Sequence, residues 1–249
     1  MVAKKDWWVD FFPDFRPAFE NIASNVTNAE AKYLVRKLEL RRGSKFLDCP
    51  CGIGRISIPL AKKGIYVTGV DITASYLKEL GEKSRSMGLD IRLVQEDMRR
   101  IEFDREFDAA GNLGTSLGYF EKQSDDLLVL KKMFRALKPR GKFMIHITNR
   151  DWIMRHYTPD GWFEAGGVKV LQRRHFDFRR SMNISEFHFI KDGREVVHEL
   201  EIRLYSYHEL IDLMRQAGFV DIEGFGSLKD EPISLQHMPM FITGVRPAR

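Results

Sequence analysis

Aspartates that end short apolar runs are the residues of this sequence best placed for chemistry. Asp48 ends the first of these runs and precedes a turn that contains Gly52 and Gly54. Glycines let a turn pass close to a ligand and enter a helix without a clash at Cβ. Asp71 ends the next run, about twenty residues after the turn, where a carboxylate can accept hydrogen bonds from ribose hydroxyls. The two acids predict a site for a ligand that carries a ribose.

A third acid, Asp97, ends another run and is followed by Met98, whose side chain could lie along a flat base. A dinucleotide fingerprint would need a third glycine at position 57, which is Ser57, and would not require an acid before the turn. The carboxylate of Asp48 instead offers an anion to a cationic group. Adenine, ribose and a positively charged amino-acid tail together describe S-adenosylmethionine better than NAD.

The elements that must position these residues alternate between strands and helices from Lys45 onward. Strand-like runs such as KFLDCPC and IYVTGVD are separated by helical stretches, which we predict at residues 53–63, 74–87 and 125–137. Five such strands with crossover helices between them predict a parallel sheet covered on both faces. The predicted fold class is α/β, a doubly wound, mostly parallel Rossmann-like sheet, and residues 41–150 are predicted to form its ligand-binding core.

Residues 151–205 carry a different pattern, with apolar side chains at alternate positions and an Asp192-Gly193 turn between two such runs. Asp-Gly at this place is a strong hairpin signal, so we predict an antiparallel insertion of two or three strands that covers substrate or contacts another copy. Residues 206–249 are predicted to return to the core, beginning with a helix for which Ser206 and Glu209 form a capping box.

Residues 1–40 are predicted to form an N-terminal helical cap, in which Thr27 and Glu30 form another capping box. The cap could fold over the ligand as a lid or simply cover the sheet, and the spacing of its residues does not separate the two. It contains a cluster of aromatic residues, namely Trp7, Trp8, Phe11, Phe12, Phe15 and Phe19.

Composition bounds the classes of protein to which the chain could belong. Its 249 residues, 43% hydrophobic and 30% charged, are typical of a globular protein and exclude a disordered one. No run reaches the roughly 18 apolar residues that span a bilayer, and no signal peptide is evident, so a cytoplasmic protein is expected. The net charge of +5 is scattered along the chain. Cys49 and Cys51 lack metal-ligand spacing, and no metal site is predicted.

The chain resembles the class I S-adenosylmethionine-dependent methyltransferases from Lys45 to Val245. The resemblance rests on FLDCPCGIGR for the first glycine motif, VTGVD for the ribose acid, QEDM for the adenine-side acid and LKPRGKFMI at the fifth strand. It implies a seven-stranded sheet with an antiparallel last strand, and S-adenosylmethionine as the cofactor with S-adenosylhomocysteine as the product. The implied cofactor-binding residues are Asp48, Cys49, Gly52, Gly54, Asp71, Ile72, Asp97, Met98, Asn112 and Leu113.

The segment from Asn112 to Phe120 is similar to the NLxTSxGYF stretch of a small-molecule subgroup of these enzymes, in which an antiparallel insertion follows the fifth strand. The Asn-Pro-Pro-Tyr motif of exocyclic-amine nucleic-acid methylases is absent, because residues 111–114 read Gly-Asn-Leu-Gly. No cysteine lies beyond position 51, so the nucleophile of C5-cytosine methylases is absent too. The acceptor is therefore expected to be a small molecule.

Candidate acceptor-side residues follow the fourth and fifth strands or lie in the insertion. Tyr119 and His146 are the candidate catalytic residues, and simple packing of an aromatic ring or of a buried histidine is the alternative explanation for each. Arg203 could hold a carboxylate in a two-pronged bond, or could lie on the solvent face of its strand. The predicted substrate contacts are Asn149, Trp162, Arg203 and Tyr205.

The predicted function is that of an enzyme that transfers a methyl group from S-adenosylmethionine to a nitrogen or oxygen of a small molecule by in-line displacement. One alternative is an RNA methyltransferase, motivated by the positive charge and by the arginines at positions 173, 174, 179 and 180. Another is a catalytically silent methyltransferase-like binding protein, and an NAD-dependent dehydrogenase is a more distant one. No membrane partner is expected, nucleic acid is disfavoured, and the oligomeric state is left open.

Overall fold

The computed structural model describes residues 6–20 and 24–248, so parts of the predicted N-terminal cap (residues 1–5 and 21–23) and the side chain of Phe19 lie outside the described residues. No helix within these ranges is long and apolar enough to cross a membrane. In chain order the elements are α1 (Trp8–Glu20), α2 (Ser24–Lys37), β1 (Lys45–Asp48), α3 (Ser57–Ala61), β2 (Tyr66–Asp71), α4 (Ala74–Ser86), β3 (Ile91–Gln95), β4 (Phe107–Asn112), α5 (Gln123–Ala136), β5 (Leu137–Thr148), α6 (Arg150–Arg155), β6 (Asp160–Ala165), β7 (Val168–Asp177), β8 (Met182–Lys191), β9 (Arg194–Arg203), α7 (Tyr207–Ala217), β10 (Val220–Phe225) and β11 (Pro239–Val245).

A seven-stranded sheet in the order β10-β11-β5-β4-β1-β2-β3 forms the core. The first five strands pair in parallel, whereas β11 runs antiparallel to both β5 and β10. Helices α2, α3 and α4 pack an apolar cluster on one face of the sheet, and α5 and α7 pack another cluster. Coverage on both faces explains why the parallel strands read as nearly continuous apolar runs. The predicted α/β fold with an antiparallel last strand is confirmed.

A second sheet of four antiparallel strands, in the order β6-β7-β8-β9, lies between β5 and α7 in the chain. The Asp192-Gly193 turn joins β8 to β9 as predicted. The insertion has four strands instead of the expected two or three, because β6 pairs with β7 across a turn at Gly166 and Gly167. Both glycines have positive φ, 56° and 73°, a conformation that residues with a Cβ rarely adopt.

Several predicted boundaries differ from those of the structure. The helix expected at residues 53–63 is restricted to α3, because residues 53–56 form turns that close the glycine loop. The break expected at residues 138–141 is instead an irregular start of β5, where Phe107 pairs with Leu137 but Ala109 pairs with Lys142. Thr27 lies inside α2 and not at its beginning. The other capping box is confirmed, since Glu209 accepts the Ser206 N–H at 2.8 Å.

Helix α1 lies between the second sheet and the core. Phe11 packs on Phe187 and Phe189 of β8, with ring centroids 5.4 and 5.9 Å apart. On the other side Trp8 meets Phe120, which follows β4, at 5.4 Å. The aromatic cluster predicted from the sequence thus connects the insertion to the carboxyl end of the core sheet.

Candidate active site

A large cleft opens at the carboxyl ends of β1, β2 and β3, with an empty volume of about 1040 Å³ that is continuous with solvent. This is the edge of a parallel sheet where ligands bind in open α/β folds. Eight of the ten predicted cofactor-binding residues line it: Asp48, Cys49, Gly52, Asp71, Ile72, Asp97, Met98 and Leu113. The first three strands therefore bring their terminal acids to one cavity.

Asp71 connects the end of β2 to the glycine turn. Its Oδ2 accepts the backbone N–H of Gly52 at 2.8 Å, and its Oδ1 accepts that of Thr73 at 2.9 Å. Burial raises the pKa of Asp71, while these N–H donors oppose the shift. Each carboxylate oxygen has two lone-pair sites, so each keeps capacity for a further donor such as a hydroxyl.

Asp48 lies deeper, at the end of β1. The hydroxyl of Ser57 donates to its Oδ2 at 2.6 Å. Burial raises the pKa of Asp48 to about 7, against the lowering effects of the Ser57 hydroxyl and of Arg55. Ser57 stands where a dinucleotide fingerprint would place its third glycine, and its hydroxyl is a direct partner of the first acid. Near neutral pH the Asp48 carboxyl is poised to ionise beside a cation.

Asp97 has a more open setting after β3. Burial would raise its pKa, but hydrogen bonds from the Arg99 backbone N–H (2.8 Å) and guanidinium Nε (3.0 Å to Oδ2) lower it below its usual range. The Arg99 guanidinium also lies over the ring of Phe120, 4.4 Å from its centroid. The neighbouring Glu96 lines the cleft and accepts the Asp97 N–H at 2.8 Å. This end of the cleft is ionised and is walled by an aromatic ring.

Gly54 and Asn112, the two remaining cofactor candidates, support the cleft from behind. Gly54 has φ +82°, and a Cβ there would lie 2.1 Å from Cδ1 of Leu80 in α4. Asn112 is buried in β4, and its amide donates to the carbonyl of Cys49 at 3.0 Å. Gly54 lets the turn pack on α4, and Asn112 joins the turn to β4 by a hydrogen bond.

Aromatic side chains form the remaining wall of the cleft. Trp8 and Phe12 of α1 line it together with Tyr76 and Tyr119. The hydroxyl of Tyr76 donates to the backbone carbonyl of Phe12, and the Tyr119 ring lies 5.8 Å from that of Phe12. Burial raises the pKa of Tyr119 well above its usual value. Tyr119 therefore stays protonated near neutral pH and can offer its hydroxyl hydrogen to a ligand.

His146 lies outside this cleft. Its ring stacks on Phe241 with centroids 4.3 Å apart, in a small side pocket whose walls include Arg55 and Ile56, which also line the main cleft. Burial, with a smaller contribution from Arg55, lowers the pKa of His146 to about 4. The imidazole is therefore neutral at pH 7, and it does not line the cleft that holds the three acids.

The four predicted substrate contacts also lie away from the cleft. Asn149 is the N-cap of α6 and accepts the Asp151 N–H at 3.0 Å. Tyr205 is buried, and its hydroxyl donates to Asp126 at 2.6 Å. Arg203 donates to the carbonyl of Glu121 at 2.9 Å, and Trp162 is 68% exposed on β6. Their predicted contacts with substrate are not tested by these positions.

Sequence reasoning missed several residues that line the cleft. Arg55, Tyr76 and Glu96 all face it, and only Glu96, next to Asp97, carried a signal in the sequence. Cys49 and Cys51 are free and buried, and burial raises the pKa of both thiols. Within residues 6–20 and 24–248, no group of three or more His, Cys, Asp and Glu side chains is arranged to hold a metal ion.

Comparison with known sequences finds that the chain is similar to methyltransferases. A family model described as a methyltransferase domain matches residues 46–141. The chain is 38% identical over 185 residues to "Putative methyltransferase YqeM" of Bacillus subtilis (strain 168), covering 70% of this chain and 73% of that protein. It is 29% identical over 205 residues to a glycine/sarcosine N-methyltransferase of Halorhodospira halochloris, covering 81% and 75% of the two chains.

Comparison with solved structures shows the same fold. An S-adenosylmethionine-dependent methyltransferase from Clostridium acetobutylicum ATCC 824 matches with a TM-score of 0.79 at 18% sequence identity, covering 96% of this chain and 98% of that chain. The match spans the core sheet and the insertion together, since it leaves only a small part of either chain uncovered.

Proposed function

Since the chain belongs to the class I S-adenosylmethionine-dependent methyltransferases, we propose that it transfers the methyl group of that cofactor to a nitrogen or oxygen of a small molecule. The observation that carries the proposal is the convergence of Asp48, Asp71 and Asp97 in one cleft at the carboxyl ends of β1, β2 and β3. The three acids match, in order, the needs of an amino-acid tail, a ribose and an adenine.

The charge of the cleft supports a cationic ligand. Four carboxyl groups line it, and the only guanidinium among its described lining residues, that of Arg55, is already paired with Glu30. Asp71 keeps lone pairs for ribose hydroxyls while it holds Gly52. Asp48 is positioned to accept the ammonium of the amino-acid tail, because it ends β1 directly before the glycine turn and lines the cleft. The apolar side of the site is formed by Cys49, Ile72, Met98 and Leu113.

In the proposed reaction the cofactor would supply a methyl group on its sulfonium sulfur: the lone pair of the acceptor would attack the methyl carbon in line, and the C–S bonding electrons would leave with S-adenosylhomocysteine. The chain's own contribution is to hold the two reactants in that line and to exclude water. Trp8, Phe12 and Tyr119 cover the cleft, and we assign Tyr119 as the residue that orients the acceptor by donating its hydroxyl hydrogen. Ser116 lines the cleft nearby, but its hydroxyl donates to the Leu113 carbonyl at 2.9 Å, so it can offer the acceptor only an oxygen lone pair.

His146 remains the candidate proton acceptor in this proposal. Its imidazole is neutral at pH 7, since burial lowers its pKa to about 4. It would act through the side pocket, between Arg55 and Ile56. With its pKa lowered to about 4, His146 is a weak base that can receive a proton only from a much stronger acid, such as the oxonium formed when a hydroxyl oxygen is methylated.

A small-molecule acceptor is favoured over RNA by the insertion's arginines. Arg173 pairs with Asp160, and Arg180 pairs with both Asp177 and Glu201. Arg174 donates to the carbonyl of Thr158 at 2.8 Å. A nucleic-acid footprint needs cations that are free to neutralise phosphates, and most of this cluster is engaged within the chain.

The experiment that tests the proposal has two parts. Calorimetric titration of S-adenosylhomocysteine beside NAD should show binding of the first ligand alone. Radiolabelled S-adenosylmethionine is then incubated with panels of amines, of hydroxyl compounds and of RNA, and label should appear only in a small amine or hydroxyl compound. Labelling of RNA alone would overturn the acceptor class, and failure of a folded protein to bind S-adenosylhomocysteine would overturn the enzyme assignment.

A further inference from the structure

The second sheet has one face that packs on α1 and one that faces solvent. On the outer face, which carries alternate residues of β6 to β9, Trp162 is 68%, Leu171 38% and Val197 47% exposed. The strand register places these three in one row with His188: Trp162 is opposite Leu171, Leu171 opposite His188, and His188 opposite Val197. An apolar row that crosses a whole sheet in contact with water is typical of an interaction surface.

In the rows on either side of this one, the charges of β7 and β9 differ in sign. On β7 the outer face carries Lys169 and Arg173, which lie next to Glu164 and Asp160 of β6, whereas on β9 it carries Glu195 and Glu199. The register puts Lys169 and Glu195 in one row, with Ile190 between them. On the other side of the apolar row, Arg173 and Glu199 lie on either side of Glu186. Strand β7, with the two basic residues, and strand β9, with the two acidic residues, are therefore the two neighbours of β8.

We propose that the outer face binds the same face of a second copy of this chain, about a two-fold axis parallel to β8. Such an axis keeps each row in place and exchanges β7 with β9, so that the basic strand of one protomer lies over the acidic strand of the other. Lys169 then faces the partner's Glu195, Leu171 faces the partner's Val197, and Arg173, which also contacts Asp160 of its own chain at 3.3 Å, faces the partner's Glu199. Strand β6, with Trp162, extends beyond the partner's β9. The face is self-complementary, as a two-fold interface must be.

The strand on the axis is compatible with this packing. His188 would lie against its own copy there, and its two ring nitrogens are already bonded to carboxylates, Nε2 to Glu186 at 2.8 Å and Nδ1 to Glu195 at 2.7 Å. Each Glu186 carboxylate would therefore approach its own copy across the axis with a histidine already bonded to it, which reduces the repulsion between the two carboxylates. The apolar side chains Ile184 and Ile190 flank them on the same face of β8.

The size of the face agrees with that of a stable interface. Three overlapping strands (β7, β8 and β9) about 4.8 Å apart and up to ten residues long, at about 3.3 Å per residue, give a face of roughly 14 by 33 Å. That projected area, roughly 480 Å², is somewhat more than half of the roughly 800 Å² per partner that specific interfaces bury. Face-to-face sheets of this kind pack about 10 Å apart, with their strands close to aligned.

Sedimentation analysis of the full chain tests the proposal, with two charge-reversed variants, Arg173→Glu and Glu199→Arg. The wild type should be a dimer, and each variant alone should weaken dimerisation by at least tenfold, because each places two like-charged pairs across the axis. An equimolar mixture of the two variants should form a heterodimer, since both of its facing pairs are then of opposite charge. Recovery in the mixture also excludes misfolding as the cause of the loss in each variant.

The matched control is Arg215→Glu on α7, an exposed arginine away from the second sheet, which should remain dimeric. A wild-type protein that stays monomeric at high concentration would overturn the proposal. It would also be overturned by a dimer that both variants leave unchanged, or by a mixture that does not recover association. None of these results depends on the proposed methyl-transfer function.

Discussion

Asp71 accepts the backbone N–H of Gly52 across the cleft, with 2.8 Å between Oδ2 and N. The carboxylate at the end of β2 therefore holds the glycine turn at the end of β1. The Asp71 side chain thus fixes the shape of one wall of the cleft and keeps lone pairs that face into the cleft.

Replacing Asp71 by alanine should weaken binding of S-adenosylhomocysteine by about 1 to 3 kcal/mol, or roughly 5- to 150-fold. The variant loses the proposed ribose acceptor and also frees the Gly52 turn. Asp71→Asn should lose nearly as much, because its amide nitrogen cannot accept an N–H. Calorimetric titration measures both, with Asp212→Ala, an exposed acid on α7, as the control. Unchanged affinity in Asp71→Ala would contradict the assignment of Asp71 to the ribose.

A second prediction concerns pH, because burial raises the pKa of Asp48 to about 7 in the ligand-free protein. A cationic ligand prefers the carboxylate form, so it should lower this pKa on binding. Below pH 7 the protein must then release a proton to bind, and the affinity for S-adenosylhomocysteine should rise as the pH is raised from 6 to 8.

Titration in two buffers of different ionisation enthalpy measures the released proton directly. Asp48→Asn, which keeps the shape of the side chain without its charge, should bind more weakly at pH 8 and should lose most of the pH dependence. If the variant kept the wild-type pH profile, the titrating group would be another one, and Asp48 would not face the ammonium.

Local patterns were sufficient to predict the positions of the three acids. Asp48, Asp71 and Asp97 each end an apolar run in a parallel strand, and the carboxyl ends of parallel strands meet at one edge of a sheet. That argument needs no knowledge of distant contacts. It predicted the core sheet and the meeting of the three acids in one cleft. Gly54 and Asn112, which the family resemblance added, do not line the cleft: a Cβ at Gly54 would face Leu80, and the Asn112 amide donates to the Cys49 carbonyl.

Long-range packing accounts for what the sequence did not reveal. Trp8 and Tyr119 are far apart in the chain, yet their rings stack 6.5 Å apart beside the cleft. No periodicity within α1 indicates which of its aromatic residues will reach the cleft. Tyr205 was predicted as a substrate contact from its place at the end of the insertion, and its partner Asp126 lies on a different element, 79 residues away in the chain.

A third prediction compares the two glycines of the turn. Both have positive φ, but a Cβ at Gly52 would meet open space, whereas one at Gly54 would strike Leu80. Gly52→Ala should lose about 1 to 2 kcal/mol of unfolding free energy through backbone strain, and Gly54→Ala should lose about 1 to 3 kcal/mol more through overpacking.

Urea unfolding of both variants, and of Leu80→Ala with and without Gly54→Ala, isolates that clash. The double variant should lose less than the sum of its single losses, because removing the Leu80 side chain makes room for the new Cβ. Additive losses would mean that the cost at Gly54 is backbone strain alone.

The fourth prediction separates a structural role of Tyr205 from a substrate contact. Its hydroxyl donates to Oδ2 of the buried Asp126, whose Oδ1 accepts the Gly118 N–H at 2.9 Å. Tyr205→Phe leaves that carboxylate without its side-chain donor and should cost about 1 to 3 kcal/mol of unfolding free energy. Burial raises the pKa of Asp126 to about 6, and the loss of the donor should raise it further.

Because the tyrosine donor stabilises the ionised carboxylate, the loss of stability in Tyr205→Phe should be larger at pH 8 than at pH 5, where Asp126 is mostly protonated. Tyr157→Phe is the matched control, since the buried hydroxyl of Tyr157 has no hydrogen-bond partner among the described residues, and its removal should cost little at either pH. Thermal and urea unfolding at the two pH values give the stability, and steady-state assays with an identified acceptor give KM. A structural tyrosine should change stability and leave KM for the acceptor unchanged. A raised KM with wild-type stability would instead restore Tyr205 as a substrate contact, and would require the cleft to extend past Tyr119 toward α5 when the acceptor is bound.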